Sequence, residues 1–209
     1  IGFFNSQSVN PVRMYDSLIS RNASGFDSSG DDLLVNCTIV DNTGDGFQSR
    51  AKGVLLNSIV WGNGRNVRPA STLLTVDYSI VQGGKAGIGA AFENQLVYGA
   101  NNLTTDPKFV SAATGDYRLA DNSPAIGAGG PLPVGVTGVR AAQPAGSALD
   151  LGAFENARGT PGTGLPEITS QPTAQSVPAG SPFSLSVTAT SPTSATFQWR
   201  RGGIGRAHV

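Results

Sequence analysis

The sequence predicts an all-β protein whose main part is a right-handed parallel β-helix. Three observations predict it: the composition, a repeat of about 20 residues, and a polar or glycine corner residue in each repeat. The chain of 209 residues has 28 glycines, one Met and only 13% charged residues. Good helix formers are therefore scarce, and short strands joined by tight turns are favoured. The 14 basic and 14 acidic residues cancel, which gives no reason to expect nucleic acid or an anionic membrane as partner.

Four five-residue segments of similar pattern carry the repeat, at residues 15–19, 35–39, 56–60 and 76–80. Their last residues follow one another at steps of 20, 21 and 20 residues. Because alternate side chains of a strand face the same side, the first, third and fifth residues of each segment are predicted to face inward. The last residues are then expected to stack in one column: Ile19, Ile39, Val60 and Ile80.

A repeat of this length without a helical pattern predicts a solenoid, because stacked rungs bury the apolar face that one rung cannot bury alone. Three residues after the last residue of each segment comes a residue that tolerates the left-handed backbone of a sharp corner. These residues are Asn22, Asn42, Asn63 and Gly83. A leucine-rich repeat is the main alternative fold, but the Leu-x-x-Leu-x-Leu frame that it requires is absent.

Residues 101–157 lose this period and carry four ordered motifs, at residues 106–109, 115–119, 123–129 and 150–155. In this order the motifs resemble the choice-of-anchor Q region of exported bacterial proteins. The rungs before them resemble a pectin-lyase-like parallel β-helix. The resemblance implies a secreted or cell-surface protein, and it is specific for architecture rather than for activity. The family often has an acidic loop where this chain has residues 130–148, which are rich in Pro, Gly, Val and Ala, so no cation site is carried over.

The closing region is predicted to cap the open end of the solenoid, which would otherwise expose apolar side chains and strand edges. Its predicted core residues are Phe109, Tyr117, Leu119, Ile126 and Phe154. Asp106 and Asp116 precede turn residues, and we expect both carboxylates to accept hydrogen bonds from backbone amides. The predicted boundaries are residues 1–100 for the rungs and residues 101–157 for the cap.

Residues 158–165 read as a flexible linker, and residues 166–203 resemble the truncated start of a bacterial immunoglobulin-like domain. Trp199 matches the buried tryptophan of such sandwiches, and Val187 stands where the antibody type has a cysteine. With so few strands, we expect this region to form isolated or weakly docked strands. Residues 204–209 resemble the translation of a sequencing adapter, so His208 is given no function. Since the chain opens in mid-pattern, we expect a piece of a longer protein.

The chain lacks the residue types that most catalytic and metal-binding sites require. With His208 discounted, no histidine is left for a nucleophile pair or a metal site, and Cys37 is predicted to be a core residue. Acidic and basic residues of the rungs offer a β-helix hydrolase or lyase pattern, but most of the acids lie in turn-like contexts, so we interpret them as solvated turn carboxylates. These candidates are Asp31, Asp32, Asp41, Asp45, Arg50 and Lys52. Trp61 is predicted to point outward, where its ring either packs against a loop, which is the more common case, or offers a stacking surface for a sugar.

The first functional hypothesis is a non-catalytic part of a secreted or cell-surface bacterial protein, with a scaffold, adhesion or glycan-binding role. The alternative is the C-terminal part of a polysaccharide lyase or glycoside hydrolase. No catalytic, cofactor or metal residue is assigned, and Ca²⁺ is kept only as a further alternative that stabilises the fold. The expected partner is a polysaccharide or cell-surface glycan, with no nucleic acid and no membrane span.

Overall fold

The computed structural model describes residues 3–5, 10–68, 73–88, 95–136, 144–162 and 167–190. The chain divides into two compact units, residues 1–161 and residues 162–209. The first unit contains a parallel β-solenoid of about four turns, which confirms the predicted fold class. Small antiparallel sheets complete the described strands, and very little of the described chain is helical.

Three parallel sheets form the sides of the solenoid, and the chain visits sheets A, B and C in turn. Sheet A contains β1 (Phe3–Asn5), β4 (Phe26–Ser28), β7 (Asp45–Ser49) and β10 (Arg65–Arg68). Sheet B contains β2 (Arg13–Tyr15), β5 (Asp32–Val35), β8 (Gly53–Leu56), β11 (Leu74–Asp77) and β13 (Leu96–Tyr98). Sheet C contains β3 (Leu18–Ser20), β6 (Thr38–Val40), β9 (Ile59–Trp61) and β12 (Ile80–Val81). We number the rungs 1 to 4, so that rung 1 is β1–β3 and rung 4 is β10–β12.

Apolar side chains of successive rungs stack in register inside the solenoid. In sheet A the rings of Phe26 and Phe47 are parallel within 9°, with centroids 5.4 Å apart, and Val67 continues the column. Because successive strands lie about 4.8 Å apart, each ring covers the next, and the facing surfaces of both rings are removed from contact with water. The columns of all three sheets merge into one core. Its members include Leu34, Leu55, Val76, Ile39 and Val60.

A corner with left-handed backbone separates sheet B from sheet C in every rung. The corner residues are Asp16, Asn36, Asn57 and Tyr78, with φ between 45° and 53°. Because the chain turns there, the alternation of inward and outward side chains restarts, and the prediction of one continuous strand per segment is wrong. In the first three rungs, the side chain that enters the core before the corner therefore lies one position earlier in the sequence than predicted. These core residues are Met14, Leu34 and Leu55, in place of the predicted Tyr15, Val35 and Leu56. Cys37, after the corner, is fully buried in the core as predicted.

Rung 4 is offset by one residue from the predicted column. The first three predicted members pair in register, but Val60 then pairs with Val81, while Ile80 pairs with Ile59. The prediction that Ile80 completes the inner column is therefore wrong, and the last step of the repeat is 21 residues. Both candidates are β-branched aliphatic residues, so the pattern alone could not choose between them.

The corner from sheet C to sheet A has its left-handed residue one position before the predicted asparagines, at Arg21, Asp41 and Gly62, whereas Gly83 is left-handed as predicted. The asparagines form a ladder instead. Asn22 donates from its backbone N and its Nδ2 to Asn42 Oδ1, at 3.0 and 3.2 Å. Asn42 donates in the same way to Asn63 Oδ1, at 3.0 and 2.8 Å. Each corner amide is thus satisfied by the next rung, which holds the rungs in register.

The last rung leads into a short helix and a partial fifth rung. Helix α1 (Gly84–Ile88) follows β12 at the place where earlier rungs enter sheet A, and Ile88 is buried in the core. Strand β13 then pairs with β11 in sheet B, and Leu103 bridges Ile80 in sheet C. In the described residues, the C-terminal end of the solenoid is therefore covered partly by the chain's own continuation.

Apart from Leu103, which bridges the last rung, the described part of the closing region lies along the side of the solenoid and not over its open end as expected. We call the described residues 106–136 and 144–156 the strap. It contains an antiparallel hairpin of β14 (Phe109–Ser111) and β15 (Asp116–Leu119). All five predicted core residues of this region are confirmed: they form a second cluster with Val40, Ile59 and Ile80 of sheet C. The strap lies here because the outer face of sheet C is apolar and needs a cover.

The two aspartates that were predicted to hold turns in the strap do so. Asp106 Oδ1 accepts a hydrogen bond from the amide of Lys108 at 2.7 Å. Asp116 Oδ1 accepts one from the amide of Arg118 at 3.2 Å. Local spacing was sufficient to predict these bonds because donor and acceptor are two residues apart.

In the second unit, the described strands are β16 (Glu167–Ser170) and β17 (Thr188–Thr190), which pair antiparallel. Within the region expected to form isolated strands, the alternating run 183–189 contributes only its last two residues to β17. Phe183 and Leu185 are 62% and 43% exposed, because no described residue of this unit provides a facing sheet. Trp199, His208 and the predicted adapter-derived residues 204–209 lie outside the described residues.

Candidate functional site

Polar side chains line the outer face of sheet A. Phe26, Phe47 and Val67 of this sheet face the core, so the residue after each of them points outward. These outward residues are Asp27, Gln48 and Arg68, and they follow one another in register across three rungs. Together with the side chains beside them they form what we call the polar face. Its members are Asp27, Asp45, Gln48, Arg50, Arg65 and Arg68.

The position of the polar face depends on glycines that precede the inward phenylalanines. A Cβ atom at Gly25 would clash with the carbonyl oxygen of Gly46 in the next rung, so only glycine allows the rungs to stack closely there. Strand β4 begins directly after Gly25, and Phe26 then turns inward. The Gly-Phe pairs in the sequence therefore carried the signal for this face, although only Asp45 and Arg50 of its members were singled out.

Asp27 and Arg50 form a two-pronged ion pair. Arg50 Nε donates to Asp27 Oδ1 at 3.0 Å, and Nη2 donates to Oδ2 at 2.7 Å. The carboxylate is 12% exposed and the guanidinium side chain 47% exposed. The hydrogen bond with Asp27, supported by its negative charge, raises the pKa of Arg50 above its usual value. This guanidinium is held as a cation, so it is poorly suited to take a proton from a substrate.

Asp45 is shared by two arginines of the next rung. Its Oδ2 lies 3.3 Å from Arg68 Nη1, and its Oδ1 lies 3.6 Å from Arg65 Nε. The side chains of Arg65 and Arg68 are 57% and 51% exposed. Because a guanidinium has more N–H donors than one shared carboxylate oxygen can use, both arginines keep donors for an acceptor from solution.

Asp32 is the buried first residue of β5, where the chain enters sheet B from the corner after sheet A. Its carboxylate accepts three hydrogen bonds, from Ser28 Oγ at 3.0 Å, Ser49 Oγ at 2.9 Å and the amide of Val12 at 3.1 Å. The residue is only 2% exposed. The prediction of a solvated turn carboxylate is therefore wrong for Asp32, which joins successive rungs from inside the corner.

The remaining candidate carboxylates serve other corners. Asp31 Oδ1 accepts a hydrogen bond from the amide of Lys52 at 3.1 Å and is exposed. Asp41, between sheets C and A, accepts one from the hydroxyl of Tyr117 in the strap at 2.8 Å. Each of the four candidate carboxylates thus has a structural partner of its own.

Trp61 lies at the end of β9, where it follows Val40 in register on the outer side of sheet C. It points outward, as predicted, and its side chain is partly buried against the cluster beneath the strap. The packing covers part of the indole and leaves part of it accessible. Ligand binding at Trp61 stays a prediction.

Within the described ranges, no group of three or more His, Cys, Asp or Glu side chains is placed to hold a metal ion. The helical part of these ranges contains nothing long and apolar enough to span a bilayer. The alternative of Ca²⁺-stabilised folding therefore has no described ligand set to support it.

Comparison with known proteins adds no relative to this picture. No family model, no curated protein and no solved structure matches the chain. The resemblance of the strap motifs to the choice-of-anchor Q region accordingly stays a prediction. The chain itself establishes its architecture, a parallel β-solenoid of about four turns.

Proposed function

We propose that this chain is a non-catalytic scaffold of an exported bacterial protein, and that the polar face binds an acidic polysaccharide at a cell surface. The observation that carries the proposal is the arrangement of the polar face, in which paired Asp and Arg side chains repeat along a rigid parallel sheet. In this proposal the strap is a choice-of-anchor Q region, and the residues after the linker begin an immunoglobulin-like spacer.

The polar face suits a polymer with negative charge. Three guanidinium groups face two carboxylates, which leaves an excess of positive charge and of N–H donors. Donors of adjacent rungs repeat at about 4.8 Å, and a polysaccharide likewise presents carboxylate and hydroxyl groups at regular intervals. Arginine binds carboxylates through charge-assisted hydrogen bonds, which are stronger than neutral ones.

The pairing of the acids supports recognition over catalysis. A glycoside hydrolase needs one carboxyl group that donates a proton and another that activates water or attacks the sugar. Asp27 and Asp45 instead neutralise arginines, and the pKa of Arg50 is raised rather than lowered. A lyase would need a basic group able to take a proton, whereas Arg50 is kept protonated by its pairing with Asp27.

Binding of the full chain to immobilised polygalacturonate, alginate and a neutral glucan tests the proposal. We expect binding to the two acidic polymers and not to the neutral one, with Arg65→Gln and Arg68→Gln each weakening it about tenfold, as for loss of a charge-assisted hydrogen bond. Arg158→Gln is the matched control, since Arg158 pairs with Asp121 at 3.0 Å in another part of the unit. Trp61→Ala, measured in parallel, tests the predicted aromatic contact.

Two outcomes would overturn the proposal, and each removes a different part of it. Release of reducing or unsaturated sugar ends during incubation would show catalysis and favour the tail of a lyase or hydrolase. Equal binding by the wild type and both arginine variants, or no binding by the wild type, would remove the polar face as the adhesive surface.

A further inference from the structure

The strap contacts all four rungs of the solenoid, although it follows them in the chain. In a simple solenoid each rung touches only its neighbours, so stability is a sum of local terms and the end rungs open first. We propose that the strap is a clamp that makes the rungs open as one unit instead of one by one. This inference does not depend on any ligand of the polar face.

Rung 1 is held by a single arginine side chain. Arg21 Nη2 donates to the carbonyl oxygens of Ala112 and Ala113, at 2.6 and 2.7 Å. Arg21 Nε donates to the hydroxyl of Tyr117 at 3.0 Å, and the guanidinium carbon lies 5.8 Å from the centroid of the tyrosine ring. The first rung is thereby joined to residues that lie more than 90 positions later in the sequence.

Rung 2 is bound by the same tyrosine and by the far end of the strap. The hydroxyl of Tyr117 donates to Asp41 Oδ2 at 2.8 Å, so one side chain bridges rungs 1 and 2. The amide of Ala153 donates to Thr38 Oγ1 at 2.8 Å, across 115 residues of sequence. Two separate parts of the strap therefore hold this rung.

Rungs 3 and 4 both contact the strap at Gly130, and rung 3 also contacts it near its far end, at Gly152. Asn57 exchanges two hydrogen bonds with Gly130: its Nδ2 donates to the carbonyl at 3.1 Å, and its Oδ1 accepts from the amide at 2.8 Å. The amide of Gly152 donates to the carbonyl oxygen of Asn57 at 2.8 Å. In rung 4 the ring of Tyr78 packs so closely on Gly130 that a Cβ atom would overlap it, and Ile80 is buried beneath the strap.

These contacts make the opening of any rung costly for the others. To leave its place, a rung must release the strap, and the strap covers one apolar cluster formed by residues of rungs 2, 3 and 4. Exposure of that cluster removes hydrophobic stabilisation from all of these rungs at once. The coupling therefore extends beyond the nearest neighbours of the rung that opens.

Native-state amide hydrogen exchange on the full chain tests the clamp, with equivalent amides as probes of three rung interfaces. Thr38 N is bonded to Ser17 O at 2.9 Å, and Ile59 N and Ile80 N are bonded to the preceding rung at 2.8 Å. In the wild type we expect the three amides to share one protection factor and one dependence on denaturant. In Tyr117→Phe, which removes the hydroxyl that joins Arg21 to Asp41, we expect all three to lose protection by the same factor, about tenfold.

Thr38→Val is the second variant, because it keeps the shape of the side chain and removes the acceptor for Ala153. It should likewise lower protection at Ile80 N, two rungs away. Arg118→Ala is the control: Arg118 lies next to Tyr117 but is exposed and pairs only with Asp116 among the described ion pairs. The proposal is overturned if either variant lowers protection at the amide of residue 38 and leaves Ile80 N unchanged, or if neither variant lowers protection at any of the three amides.

Discussion

Tyr117 donates a hydrogen bond from its hydroxyl to Asp41 Oδ2 at 2.8 Å, although 76 residues separate the two in the sequence. Tyr117 is 2% exposed, so the bond lies within the interface between the strap and the second rung. From the sequence, Asp41 was a turn carboxylate and Tyr117 a core aromatic of a cap. Their contact shows that Asp41 of the second rung and Tyr117 of the strap join the solenoid to the strap.

Ionisation of Tyr117 should weaken the fold at alkaline pH. Burial, followed by the hydrogen bond to Asp41, raises the pKa of Tyr117 above the usual 10.0. A group whose pKa is higher in the folded than in the unfolded chain contributes its full stabilisation at pH values below the unfolded-state pKa. This contribution is lost as the pH rises through the folded-state pKa. We expect the wild type to lose more unfolding free energy between pH 9 and pH 12 than Tyr117→Phe does, as measured by urea denaturation. Equal losses in the two proteins would contradict this.

The surface pair of Asp116 and Arg118 should respond to acid. The hydrogen bond from Arg118, at 2.6 Å, lowers the pKa of Asp116 to about 2. A lowered pKa stabilises the folded state above the unfolded value of 3.8, and the contribution disappears as pH falls towards 2. Titration of the carboxyl carbon by NMR should give a midpoint near 2 in the wild type and a higher one in Arg118→Ala. The same midpoint in both proteins would show that Arg118 is not the cause.

Asn42 is the central member of the corner ladder, and its removal should be costly. In Asn42→Ala the backbone N and the Nδ2 of Asn22 lose their acceptor. Asn63 Oδ1 loses the Nδ2 donor of residue 42 and keeps the backbone amide donor. Unsatisfied polar groups of this kind cost about 1–3 kcal/mol. Thr43→Ala is the control, because it removes only a 3.4 Å exposed bond and should cost less than about 0.5 kcal/mol. Equal unfolding free energies for the two variants would argue against the ladder.

Phe47 tests the stacked core. It is fully buried and stacked on Phe26, so Phe47→Ala leaves a cavity and should lower the free energy of unfolding by about 3–5 kcal/mol. Phe183→Ala is the matched control, since that ring is 62% exposed in the second unit and should change stability by less than about 0.5 kcal/mol. Urea denaturation followed by circular dichroism measures both. A loss below about 1 kcal/mol for Phe47→Ala would show that the column is not packed as described.

The polar face shows why a site on a solenoid is difficult to predict from one sequence. Asp45 and Arg50 were noticed as charged residues, but the partners of these two, Arg68 and Asp27, each lie 23 residues away. Such a pairing appears only when the register of sheet A is known. The Gly-Phe pairs at residues 25–26 and 46–47 lie at the start of β4 and within β7, but a local pattern of this kind does not indicate which side chains meet across the rungs.

The sequence by itself determined the features that depend on neighbouring residues. The repeat length, the stacking of Ile19, Ile39 and Val60, the burial of Cys37 and the turn bonds of Asp106 and Asp116 are of this kind. Only the tertiary structure decided that Val81 follows Val60, that the strap lies along sheet C, and that the carboxylates are paired. The physical reason is that local periodicity fixes which side chains are apolar or can turn, whereas register and partners follow from the packing of residues that are distant in the chain.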